Sequence, residues 1–123
     1  MAAIKRVDLS RTLIDIHRNL TVSTRAARPG PPERIDGLTV GLFTMDQPPP
    51  HDGERHPDGD EILIVLAGTL RICCDSEQHP VPVRAGEACI VRSGEWHKLE
   101  ADEPCTVIHI TPGPDGEARF RSA

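Results

Sequence analysis

From Leu38 onward, short apolar runs alternate with tight clusters of turn residues. Leu38–Met45, Glu61–Ala67, Leu70–Cys74, Val81–Val83, Ala88–Val91, Trp96–Glu100 and Cys105–Thr111 each read as a strand. Between them stand Pro48-Pro49-Pro50, Pro57-Asp58-Gly59-Asp60, Gly68-Thr69, Asp75–Pro80, Ser93-Gly94 and Asp102-Glu103-Pro104, all turn chemistry. Strands this short, broken about every 8–12 residues, predict an all-β sandwich or barrel. The N-terminal region has a different rhythm. Leu9, Leu13, Ile16 and Leu20 recur at helical spacing behind Asp8 or Ser10 as a cap, which predicts a helix over residues 8–20. A short strand, Leu20–Thr24, and a proline-rich loop, Arg25–Asp36, are expected next. The chain thus divides into an N-terminal extension (1–37), a barrel (38–112) and a tail (113–123), all within one structural domain.

Composition sharpens this picture. Twelve prolines and ten glycines in 123 residues argue against a helical bundle while remaining below the level of disordered chains. Nineteen acidic and fourteen basic side chains give a net charge of −5, with no basic stripe able to neutralise phosphates, so nucleic acid is not an expected partner. The longest apolar run, Ile62–Ala67, is far short of the roughly 20 residues of a membrane-spanning helix. The first residues carry charges where a secretory signal would carry an apolar core. These features place the expected protein in the cytoplasm, without membrane association. Cys73, Cys74, Cys89 and Cys105 show no Cys-x-x-Cys spacing and read as small strand residues.

The chemistry concentrates in HDGERHPDGDE, residues 51–61. Glu54 and His56 are two apart, so on an extended segment they face the same side. Glu61 opens a strand that is apolar on both faces, where a carboxylate is costly to bury without a cation. His97 opens a later strand. Two imidazoles and one or two carboxylates converging from separate strands suit a divalent transition metal (Fe, Mn, Ni, Co or Zn) rather than calcium or magnesium.

These residues also carry a family resemblance. His56, four residues, Glu61, six residues, Gly68 reproduces the second half of the first cupin motif. Gly86, five residues, Arg92-Ser93-Gly94, two residues, His97 reproduces the second motif, with Arg in the proline place. Over residues 38–111 the chain resembles small single-domain bacterial cupins. The resemblance implies a double-stranded β-helix (jelly-roll) barrel, here with a short N-terminal helix, and one metal in its mouth. It assigns His56, Glu61 and His97 as metal ligands. The first histidine of the family's His-x-His is Glu54 here. Glu54 is then either a fourth ligand or an outward-turned carboxylate that leaves a two-His, one-carboxylate face; His51 is a third candidate, although its offset from His56 has the wrong parity for one strand face.

Each candidate has a plainer competing role. His56, Glu61 and His97 could form a structural cluster without metal, and Glu54 a solvated surface carboxylate. Trp96 is read as rim packing, and His79 as solvent-exposed in its turn. His109 is either a pocket residue able to move protons or a satisfied structural histidine. Arg92 pairs either with an anionic ligand or with Glu87 or Glu95. The leading expectation is a metal-dependent enzyme of dioxygenase, isomerase, decarboxylase or lyase type, acting on a small organic molecule, with Glu54 or His109 as acid or base. The alternatives are a non-catalytic small-molecule binding cupin and a metal-free isomerase-like cupin. The resemblance also implies a homodimer, with Leu38–Met45 or the N-terminal segment at the contact.

Overall fold

A computed structural model describes residues 2–47, 49 and 51–120, apart from the side chains of His51 and Phe120. Among these residues there is no helix, and hence none long and apolar enough to cross a membrane. The elements are β1 (Thr12–His17), β2 (Val22–Ala26), β3 (Gly37–Met45), β4 (His51–Arg55), β5 (Glu61–Ala67), β6 (Thr69–Cys74), β7 (Val81–Arg84), β8 (Ala88–Val91), β9 (His97–Glu100), β10 (Cys105–Pro112) and β11 (Glu117–Phe120). Two antiparallel sheets form, ordered β2-β1-β3-β10-β5-β8 and β11-β4-β9-β6-β7.

The helix expected over residues 8–20 is replaced by a turn and a strand. The Asp8 carboxylate accepts from the Ser10 amide and hydroxyl (3.0 and 2.7 Å), closing a local turn instead of capping a helix. Beyond it, Thr12, Ile14 and Ile16 are β-branched and favour extended backbone. Leu13 and Asp15 point inward and Ile14 and Ile16 outward, a period of two that the helical stripe had concealed. The hairpin to β2 turns at Leu20, which adopts φ 71° with its side chain in solvent.

Inward positions give the sandwich two chemically different ends. Met45, Leu63, Val65, Leu70, Ile72, Val83, Val91, Cys105 and Val107 form a continuous dry core. Further along the same strands, the inward rows change character. On β5, Val65 and Leu63 lead to Glu61; on β10, Cys105 and Val107 lead to His109 and Thr111; on β9, Leu99 leads to His97. Gly68, at φ 77°, makes the β5–β6 turn beside β10, where a Cβ would lie 2.7 Å from the Pro104 carbonyl oxygen. All four cysteines are unpaired thiols on strands; Cys105 is buried in the core.

The outer face of the six-stranded sheet is also apolar. Ile14, Val40, Ile110, Ile62 and Ile90 are register partners in a row across five strands. Ile90 is 56% and Leu66 50% exposed there. No layer of the described residues covers this face.

Candidate metal centre

Four side chains meet at the polar end. Glu54 comes from β4, His56 from just beyond it, Glu61 from the first position of β5 and His97 from the first position of β9. Glu54 and His97 are direct register partners, which brings β4 and β9 together at this point. One potential ligand atom from each of the four lies within 4.8 Å of all the others. His56, Glu61 and His97 are buried and Glu54 is half-buried. The spacing of the two histidine segments works because turns at Pro57–Asp60 and Ser93–Gly94 lock together. The Asp60 carboxylate accepts from the Ser93 amide (2.8 Å), and the Gly94 amide donates to the His56 carbonyl (3.0 Å).

The protons at this cluster can be assigned. His97 Nδ1 lies 3.0 Å from the Glu95 carbonyl oxygen, which can only accept, so Nδ1 carries a hydrogen. His97 Nε2 then lies 3.1 Å from Glu61 Oε1. Two lone pairs do not approach this closely; a shared proton or a shared cation must lie between the two atoms. His56 Nε2 sits 3.3 Å from Glu54 Oε1 and 3.4 Å from Glu61 Oε2, yet neither ring nitrogen makes a hydrogen bond among the described residues. Buried nitrogens are rarely left in this state without a reason. Two imidazole nitrogens and two carboxylates in this arrangement form a donor set that fits a divalent transition metal.

Outer contacts orient the set. Thr111 Oγ1 donates to Glu61 Oε2 at 2.6 Å. Its single proton thus committed, Thr111 accepts from His109 Nδ1 at 2.8 Å, so His109 bears its hydrogen on Nδ1 and a lone pair on Nε2. Burial lowers the His109 pKa to about 4, helped by the positive charge of Arg34, and the ring is neutral at physiological pH. Gly41 makes room for it: a Cβ there would lie 2.4 Å from His109 Nε2. Burial alone would raise the Glu61 carboxyl, but the hydrogen bond from His97 and the charges of His56 and His97 hold it below its usual range. Burial likewise disfavours a charged His97, and Glu61 reverses this to raise it.

A cavity of about 540 Å³ opens against the cluster. Glu54, Glu61 and His109 form its polar wall, and Leu13, Leu42, Phe43, Leu63 and Leu99 contribute apolar surface. The loop before β3 closes over it with Pro31, Pro32 and Arg34. Arg34 is the residue that motif reasoning misses. It lies in a proline-rich stretch with no metal-site spacing, and its only sequence signal is a cation beside an apolar loop. Thr111 is missed similarly, as an unremarked strand residue.

Among the other candidates, Arg92 pairs with Asp60 (3.0 Å) at the surface, not with Glu87 or Glu95. Trp96 does not line the cavity; the Arg55 and Arg119 guanidinium groups lie over its ring, 5.1 and 4.5 Å from the centroid. His79 is exposed. The side chain of His51 lies outside the described residues.

Comparisons with known proteins agree with this architecture. The family model described as the cupin domain matches residues 43–111, more than half of the chain. A cupin-2 domain containing protein from Shewanella frigidimarina is 30% identical, with 67% of this chain and 76% of that one covered, at a TM-score of 0.51. An uncharacterised conserved protein from Klebsiella pneumoniae with a double-stranded β-helix domain shares the fold at 18% identity, covering 76% of this chain and 90% of that one, TM-score 0.57. A DMSP lyase from Ruegeria pomeroyi does so at 21% identity, covering 68% and 43%, TM-score 0.55. No curated protein matches the sequence. The two-sheet topology, the polar cluster at one end and the matched model together establish that the chain belongs to the cupin family.

Proposed function

We propose that this cupin is a metal-dependent enzyme acting on a small organic molecule, with His56, Glu61, His97 and Glu54 holding one divalent transition ion (Fe, Mn, Ni, Co or Zn). The observation that carries this reading is the 3.1 Å approach of His97 Nε2 to Glu61 Oε1, made while Nδ1 is held by a backbone carbonyl. Such a backbone contact aims the other nitrogen of a metal-binding histidine at its ion. A bound ion would supply Lewis-acid or dioxygen chemistry for an isomerase, lyase, decarboxylase or dioxygenase; the fold does not select among these. The protein's own groups do the remaining work. Thr111 fixes the Glu61 carboxylate, Glu54 is the more accessible carboxylate and can exchange protons at the cavity, and His109 lines the cavity with a neutral ring. The apolar wall excludes water around the reacting molecule.

Elemental analysis of the purified protein, followed by oxygen-uptake and substrate-consumption assays with the ion restored, tests the reading. About one ion per chain in the wild type, lost in His97→Ala, is the expected result. No stoichiometric metal in either protein would overturn it. A non-catalytic small-molecule binding cupin is the alternative, and the low basicity of His109 favours it over base catalysis by that residue. It predicts ligand binding without turnover in the same assays.

A homodimer and a cytoplasmic location belong to the same proposal. β3 is hydrogen-bonded on both edges, by β1 and β10, so an edge-to-edge contact through it is closed; the apolar outer face of its sheet supports a face-to-face contact with a second copy instead. A monomer by light scattering at micromolar concentration would contradict this.

A further inference from the structure

Arg34 and Arg25 lie nine residues apart around the same loop, and only one is satisfied. Arg25 donates to both oxygens of Asp15 (2.8 and 3.2 Å) and to the Glu33 carbonyl (2.5 Å). Arg34 makes no hydrogen bond or ion pair among the described residues, and its Nη1 is buried. Its backbone is closely packed. A Cβ on Gly113 would lie 2.5 Å from Arg34 Cβ and 2.4 Å from the Ile35 carbonyl oxygen, so the residue that follows β10 lies directly against the loop at the arginine. A buried guanidinium nitrogen without a hydrogen bond is costly and calls for a partner.

Its surroundings define that partner's charge. Glu54 and Glu61 would offset a divalent ion, His109 is neutral, and exposed Arg28 and Asp46 cancel at the rim of the cavity. With that ion bound, one positive charge would be left over, on Arg34. A dianionic phosphate ester would overshoot this balance, whereas a monoanion closes it. Leu13, Leu42, Phe43, Leu63 and Leu99 require that the rest of the molecule be apolar. Resting on the metal-enzyme reading above, we infer that the cavity takes a monocarboxylate with an apolar body, its carboxylate received by Arg34 and its reacting part lying toward Glu54 and His109. Arg34 would thus be a specificity-determining residue, and Arg25 a structural one.

The test uses benzoate and its neutral isostere benzamide as probes, titrated calorimetrically into the zinc-loaded protein. The wild type is expected to bind benzoate at least tenfold more tightly. Arg34→Gln should lose that preference while binding benzamide as before, and Arg34→Lys should keep part of it. Equal affinity of the wild type for both probes, or full benzoate affinity in Arg34→Gln, would overturn the inference; the latter would mean that the ion alone reads the carboxylate. If Arg34→Gln does not fold, side-chain 15N NMR of the wild type decides. Benzoate should shift the Arg34 Nε–H resonance and leave Arg25 unmoved, and absence of that shift overturns the inference. Metal content is measured on the same samples, and the NMR titration is repeated on metal-free protein. Missing metal counts against the metal reading, a missing Arg34 response against this one.

Discussion

Asp15, Arg25 and Thr39 saturate one another, whereas His56 and Arg34 keep buried nitrogens without hydrogen bonds among the described residues. In the first group, Thr39 donates to Asp15 Oδ1 at 2.7 Å and Arg25 grips both carboxylate oxygens, so the buried acid needs nothing further. In the second, both His56 ring nitrogens and Arg34 Nη1 are buried without hydrogen bonds, although Glu54 and Glu61 lie 3.3 and 3.4 Å from His56 Nε2. The difference separates buried polarity that fixes a loop from buried polarity arranged for something that arrives later. Burial alone does not distinguish them; completeness does.

The comparison can be broken from either side. The largest effect is expected from His97→Ala at the incomplete cluster, where metal affinity should fall by more than the roughly 100-fold that outer-shell changes reach, measured by competition with a chromogenic chelator. On the complete side, Asp15→Ala strands the Arg25 guanidinium and the Thr39 hydroxyl, and urea unfolding should register a loss of about 3 kcal/mol with no change in metal binding. His109 supplies a pH test. Its folded pKa of about 4 lies below the usual imidazole value, so between pH 6.5 and 4 the unfolded chain takes up a proton that the folded one refuses. Stability should therefore decline as pH falls through that window, by up to about 3 kcal/mol, and His109→Gln should flatten the slope. Histidine NMR should show the ring neutral down to about pH 4. The smallest effect is expected from Thr111→Val, which keeps the side-chain shape but releases Glu61 Oε2; metal affinity should drop about tenfold with folding intact.

Much of this was legible in the chain because it depends on local spacing. The intervals from His56 to Glu61 and from Gly94 to His97 are set by turns, and turns announce themselves through Pro, Asp and Gly. Seven strands showed in the same way, as apolar runs between such turns. β4 and β11 did not, because HDGER and EARF are polar segments that become strands by pairing with each other and, for β4, with β9. The stretch around Leu13 and Ile16 fits both a helical stripe and an alternating strand, and the decision came from Asp15 needing Arg25 and Thr39. Arg34 was illegible for a related reason: its meaning depends on the absence of partners, which no spacing reports.

The inward rows of β5 and β10 run from the hydrophobic core to the metal-site cluster along single strands, with one register shift at Thr106/Val107. Glu61 shares a seven-residue strand with Leu63 and Val65, and Thr111 an eight-residue strand with Cys105 and Val107. From Val107 to Ile110 the β10 ladder stays in register with β5, so the polar end is coupled to the core along both strands. An ion gripping Glu61 should therefore slow amide hydrogen exchange at the far ends of both strands, beside Val65 and Val107, and not only at the residues it touches.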